Sequence, residues 1–320
     1  MRKLTFTAVL ACLGLTAAGA MAQSYPSKPS RLVIPFAAGG GNDIVARVLA
    51  ARFSQGFGQP MLVENRPGAN GFVAPRAVAD AAPDGYTILM GPTGPMSIAP
   101  AIFSKMPYSP IKDFTPVTMV GSFPLILIVG GGTPVKTVAD LVAMAKANPS
   151  KMNYGSTAPT FQLTSELFKL RTGTAFEHIP YKSSAEFATA VMTGEITIAF
   201  TDPPPAIGML KSGKIRGLAV TSSKRHAFWP DIPTMAEAGI KDMEVTIWMG
   251  LFLPAGASPV IVNRIRDEFV KGMSEPNIRE KIIGLGVEPD GRPTAEFAKF
   301  HQADIARWTA IAKAANIKAD

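Results

Sequence analysis

The sequence predicts an α/β protein of two lobes, each built on a mixed or parallel sheet, with a hinged cleft between them. Three observations carry this. Short apolar runs alternate with amphipathic stretches twice along the chain, once up to Met90 and again from Phe123. The last quarter is mostly helical, with too few strands for a third lobe, so it is expected to pack back on the first. The 320 residues exceed what one small core requires and suit two lobes.

The elements follow in order. Arg31 to Phe36 reads as a short buried strand, Ala37 to Gly41 as a glycine loop, and the stretch from Asn42 as a helix with Ile44, Val45, Val48, Leu49 and Phe53 on one face. A strand at Pro60–Val63, a polar turn at Glu64–Gly71, a helix through Arg76 to Ala81 and a strand at Tyr86–Met90 complete the first alternation. This order implies right-handed crossovers. The second alternation places strands at Phe123–Val129, Met152–Gly155, Glu177–Tyr181, Ile196–Phe200 and Gly217–Thr221. The helices between them run over Thr137–Asn148, Phe161–Thr172, Ser184–Met192 and Ile207–Ser212, the first capped by Thr137. The tail holds a strand at Val245–Leu253 and helices at Pro259–Met273, through Glu280, and at Thr294–Ala315. Two crossings between lobes are then needed, near Val117–Pro124 and Met243–Met249, and such paired crossings make a hinge. The expected division is residues 23–120 with 247–320 as the first lobe and 121–246 as the second.

Residues 1–22 are read as a secretory signal peptide. Arg2 and Lys3 give a basic start, Leu4 to Ala18 an apolar stretch, and Ala20-Met21-Ala22 a small-x-small cleavage site. The apolar stretch is shorter than the ~20 residues a membrane span needs. Cleavage would remove Cys12, the only cysteine, and leave a chain with no thiolate metal site and no cysteine nucleophile. The formal charge of +8 becomes +6 without Arg2 and Lys3. Lysines and arginines are scattered, which argues against nucleic acid and fits a field that favours small anions.

Residues suited to catalysis are scarce. His178, His226 and His301 lie far apart, none in a zinc spacing, and each reads as structural or surface. There is no G-x-S-x-G elbow. Gly39-Gly40-Gly41 joins a strand to a helix, but Ile44 stands where a dinucleotide fingerprint has its third glycine. What remains is a backbone that can approach a ligand, with helical N–H groups aimed outward, or a tight turn with Asn42 as N-cap and Asp43 in the first turn. Ser156, Thr157 and Thr160 offer hydroxyls and N–H groups at a second helix start, or plain capping. Asp202, before Pro203–Pro205, can accept from a ligand hydroxyl or amine or cap the next helix. These loops, and Gly91 to Ser97, all follow strands, and in open α/β sheets ligands bind outside the strand carboxyl ends.

The motifs Tyr25-Pro-Ser-Lys-Pro29, Val33-Ile-Pro-Phe-Ala-Ala-Gly-Gly-Gly-Asn-Asp43, Val63-Glu-Asn-Arg-Pro-Gly-Ala-Asn-Gly71 and Pro83-Asp-Gly-Tyr-Thr87 occur in that order. Pro180-Tyr-Lys182, Leu218-Ala-Val-Thr-Ser222, Pro230-Asp-Ile-Pro-Thr234, Glu237-Ala-Gly239 and Pro254-Ala-Gly256 follow. Together they resemble the Bug family, the extracytoplasmic solute receptors of tripartite tricarboxylate transporters. The resemblance implies a periplasmic binding protein of the type II class that delivers a small carboxylate to membrane permease subunits; a monomer without cofactor or catalysis is expected. It also implies contacts from Phe36, Ala37, Gly39, Gly40, Gly41 and Asp43, from Thr93 and Ser97, and across the cleft from Ser156, Thr157, Thr160 and Asp202. A receptor subunit for a membrane kinase and an exported hydrolase are the alternatives. Ser156–Gln162 and Pro203–Pro205 depart from the pattern, so the resemblance does not name the acid.

Overall fold

The computed structural model describes residues 25–314. The expected signal peptide and Cys12 lie outside the described residues. The first sheet has six strands in the order β11-β4-β10-β3-β1-β2 and the second five in the order β7-β6-β8-β5-β9.

In the first sheet β1 (Ser30–Ile34) pairs in parallel with β2 (Met61–Asn65) and β3 (Thr87–Pro92). Between β1 and β2 runs α1 (Gly41–Phe57), which buries Val45, Ala46, Leu49, Phe53 and Phe57 and stops where Gly58 turns left-handed. Helix α2 (Val73–Ala79) leads to β3, whose end passes through one π turn at Gly94–Ile98 into α3 (Ala99–Ile102). Asn42 is not the N-cap the sequence suggested. Gly40 is extended at φ −73° and ψ 165°, so the helix begins one residue earlier and Asn42 lies inside its first turn.

Strand β4 (Phe114–Pro124) was not visible in the sequence, and the expected strand at Phe123–Val129 is in fact the end of β4 and the start of β5 (Ile126–Gly130). Pro116 and Gly121 interrupt the apolar pattern of β4. Pro116 is tolerated because β11 (Glu288–Pro289) pairs β4 only at Gly121 and Ser122. The long strand β10 (Thr246–Pro254) lies antiparallel between β3 and β4, so the first sheet is mixed.

The second sheet adds β6 (Asn153–Ser156), β7 (Glu177–Pro180), β8 (Ile198–Thr201) and β9 (Ile215–Val220) to β5. Its helices are α4 (Val138–Ala147), α5 (Pro159–Thr172), α6 (Ser184–Thr193) and α7 (Pro203–Lys211). The tail forms α8 (Pro259–Ser274), α9 (Pro276–Gly284) and α10 (Thr294–Ala314). It packs on the first sheet: His301 Nε2 lies 2.8 Å from Met96 O in the π turn, and Trp248 of β10 donates from Nε1 to Asp304 at 2.7 Å.

The chain passes between the sheets at Leu125 and again at Val245. Thr221, just beyond β9, ties the two passages together. Its Oγ1 accepts from Leu125 N and donates to Val245 O, while its amide donates to Leu125 O and its carbonyl accepts from Val245 N. These four bonds couple the two passages to each other.

Candidate functional site

Three helices begin at the gap between the sheets. Gly40 opens α1, Ala158 opens α5 and Asp202 opens α7, and none of these residues bonds its side chain to its own first turn. Other helix starts vary: α2 and α9 also lack a side-chain cap, whereas α6, which begins at Ser184 in the cleft wall, is capped by Ser183. Thr137 and Asp140 form a capping box on α4, and Ser258 caps α8. At α1 and α5 the uncapped start leaves N–H donors and a partial positive charge facing outward, whereas the first three residues of α7 are prolines and offer no N–H.

The gap is a cleft of about 400 Å³. Phe36, Gly40, Gly41, Asn42, Pro92 and Gly94 line it from the first lobe, and Phe123 and Ile247 from the crossing strands. Thr157, Ala158, Thr160, Phe161, Ser184 and Asp202 line it from the second. No lysine or arginine is among them, so any anion held here meets backbone N–H groups and hydroxyls. A second cavity of about 560 Å³ shares Phe36, Thr157 and Ala158 with it and extends past Ser156, Gln162, His178 and Lys182 to the Gly68–Gly71 loop. A wider groove of about 1250 Å³ behind the crossing strands holds none of the candidate residues.

The walls touch directly. Gly41 N–H donates to Asp202 Oδ2 at 2.9 Å, and Ala37 N–H donates to Lys182 O at 3.3 Å. The approach requires glycine: a Cβ on Gly41 would lie 2.0 Å from Asp202 Oδ2, and one on Gly94 2.7 Å from Thr160 Oγ1. Asp202 is 4 % exposed. Its other oxygen, Oδ1, has no hydrogen-bond partner, and neither has Asn42 Nδ2. Burial pushes the Asp202 carboxyl above the ordinary carboxylate range, outweighing the neighbouring Ser184 hydroxyl and Gly41 amide, which pull it down.

The candidate residues therefore separate. Phe36, Gly40, Gly41, Thr157, Thr160 and Asp202 line the cleft, and Ser156 lines the second cavity. Ala37, Gly39, Asp43, Thr93 and Ser97 line neither. Gly39, at φ +89°, donates from its amide to Asp43 Oδ2, and Asp43 also binds Arg47 and Asn65. Thr93 Oγ1 donates to Trp248 O at 3.1 Å and accepts from Trp248 N at 2.7 Å. Ser97 is fully buried in the π turn. Sequence reasoning missed Asn42, Ser184 and Gln162 as lining residues, and took His178 as structural. Ser156 Oγ lies 2.7 Å from His178 Nε2, and the ring stacks on Tyr154 at 5.0 Å. Burial holds His178 below its usual pKa, helped by Lys169 and opposed by Glu166. Its strand position next to β6 was the only available sign.

Among the described residues no cluster of His, Cys, Asp and Glu could hold a metal ion, and no helix is long and apolar enough to cross a membrane.

The chain is similar to known proteins over nearly its whole length. BugT of Bordetella pertussis is 31% identical over 98% of this chain and 99% of its own length. The UPF0065 protein in the gbd 5′ region of Cupriavidus necator is 36% identical over 95% of this chain and 93% of its own. A Rhodopseudomonas palustris protein solved with adipate superposes with a TM-score of 0.88 at 34% identity, covering 92% of this chain and 99% of that one. MatC of the same organism, solved with bound malate, gives 0.86 at 29% identity, covering 90% and 99%. The fold is that of periplasmic binding proteins. The model of the tripartite tricarboxylate transporter family receptors matches residues 45–317, and the chain belongs to that family.

Proposed function

We propose that this protein is a periplasmic receptor that closes its two lobes on a small organic carboxylate and hands it unaltered to the membrane subunits of a tripartite transporter. One observation carries the reading: the uncapped starts of α1 and α5 face each other across a cleft that contains no basic side chain. Such a pair of N–H clusters suits an anion, and the one hydroxyl–imidazole contact among the residues named here, Ser156 with His178, lies in the second cavity away from these helix starts. Two relatives were solved with adipate and malate, which share only their two acid groups. In this reading Gly40, Gly41, Thr157 and Thr160 surround one acid group, and the second cavity, with Ser156, Gln162 and His178, takes the far end. In the same reading the lobe built on the first sheet moves against the lobe built on the second about Leu125 and Val245. Closure is driven by the ligand's higher affinity for the closed form.

The test is a thermal-shift and calorimetry panel of mono- and dicarboxylates. A ligand at a hundredfold excess over Kd adds about 2.7 kcal/mol, or several degrees in Tm. One or a few acids are expected to give that shift, and mass spectrometry should recover them unchanged. A panel without any response overturns the proposal.

A further inference from the structure

The carboxylate-receptor reading does not say which acids fit, and Asp202 narrows the answer. An aspartate at an N-cap normally accepts from the N–H of the second or third helical residue. In α7 those residues are Pro204 and Pro205, which have no N–H, and Asp202 makes no capping bond. The proline run that broke the family pattern thus frees the carboxylate from its own helix. It turns to the opposite lobe instead, where Gly41 N–H fixes Oδ2. Oδ1 stays buried in the cleft wall without a donor, and Asn42 Nδ2, on the facing wall, lacks an acceptor. An unmatched buried acceptor is costly, and an ionised carboxylate can only accept. A second bare carboxylate beside it would add like-charge repulsion.

We propose that the ligand carries a hydrogen-bond donor in addition to its acid group, an ammonium, hydroxyl or amide, and that Asp202 Oδ1 accepts from it. The class is amino, hydroxy or amide acids in preference to plain dicarboxylates. Asn42 would accept the complementary role toward an oxygen of the same ligand. The inference rests on the receptor reading above and is tested separately from it.

The experiment is calorimetry at pH 8 with matched sets: succinate, malate, aspartate and asparagine; glutarate, 2-hydroxyglutarate and glutamate; adipate and 2-aminoadipate. Within whichever set binds, a donor-bearing member is expected to bind about 10- to 100-fold more tightly than the donorless acid. The hydroxyl, ammonium and amide arms identify the donor. Asp202→Asn, whose amide can itself donate, should bring the members of the set within a few-fold of one another. If the donorless acid binds as tightly as its partners to the wild type, the inference fails while the receptor reading stands. If no acid in any set binds, both fail. Should Asp202→Asn not fold, the wild-type comparison alone decides.

Discussion

Asp43 and Asp202 are buried carboxylates that both reach the glycine loop at the start of α1, at 3 % and 4 % exposure. Asp43 is fully engaged. Oδ2 accepts from Gly39 N–H and Arg47 Nε, and Oδ1 from Asn65 Nδ2 and, as an ion pair, the Arg47 guanidinium. Asp202 takes a hydrogen bond from Gly41 N–H on Oδ2 and has the Ser184 hydroxyl nearby, but its Oδ1 has no partner. Burial alone would raise both. At Asp43 the bonds from Arg47, Gly39 and Asn65 win and hold it below the ordinary carboxylate range, while at Asp202 burial wins. The first carboxylate shapes the loop and the second remains available to a ligand. Counting partners separates the two roles where residue type, burial and location do not.

The largest effect expected on this comparison comes from Gly41→Ala. The new Cβ falls 2.0 Å from Asp202 Oδ2, so the lobes cannot meet at that point. Alanine is a better helix former than glycine, and the lobe itself should not lose stability. Affinity for the acid found by the panel should fall roughly 100-fold, about 2.7 kcal/mol, with Tm unchanged or raised. Unchanged affinity would mean that the Gly41–Asp202 contact is not part of the bound form.

Asp43→Asn strikes the other carboxylate. It keeps the shape but removes the charge that holds Arg47 and the Gly39 amide. Urea denaturation should show a loss of about 1–3 kcal/mol, since these bonds are charge-assisted and one partner is buried. A loss in affinity should follow, because the loop that presents Gly40 and Gly41 loses its brace. An Asp43→Asn protein that keeps full stability but loses binding would reverse the roles assigned to the two residues.

Much of this was legible in the sequence. Strand and helix alternation, the capped start of α4 at Thr137 and the Gly173 stop of α5 follow from local chemistry, and the structure shows them where the pattern puts them. The strand β4 was not legible, because Pro116 and Gly121 interrupt its pattern and its place is set by β10, more than 120 residues away. At the site, the loops could be named because they follow strands. Which side chains face the cleft could not be. Thr93 and Asp43 are spent on partners distant in sequence, at Trp248 and Asn65, while Asn42 looks like an ordinary cap until the helix is seen to start at Gly41. Local propensity does not encode a hydrogen bond between residues 41 and 202.

A milder change sharpens the contrast by making Asp202 resemble Asp43. Pro204→Ala with Pro205→Ala returns two N–H groups to the first turn of α7, and Asp202 can then cap its own helix. A cap adds about 1 kcal/mol, partly offset by the greater freedom of the unfolded chain without proline. Affinity should drop by a few-fold as the carboxylate is drawn from the cleft. If affinity is unaffected, the proline run does not govern where Asp202 points.

The smallest effect is a pair of opposite slopes with pH. Asp43 has a native pKa below its unfolded value, about 3.9, so the unfolded chain binds more protons in that window. Its contribution is present above about 3.9 and is lost as pH falls toward the native value, so the stability gap between wild type and Asp43→Asn should close on acidification. Asp202 has a native pKa above that reference, so the folded chain binds more protons from about pH 4 upward to its native value. Wild-type stability relative to Asp202→Asn should therefore decline as pH rises through that range. Urea midpoints for wild type and the two variants between pH 3 and 8 measure both slopes, which are independent of whatever constant offset each substitution brings. Slopes of the same sign would mean that Asp202 is as well partnered in the ligand-free protein as Asp43, leaving no unmatched acceptor for a ligand to meet.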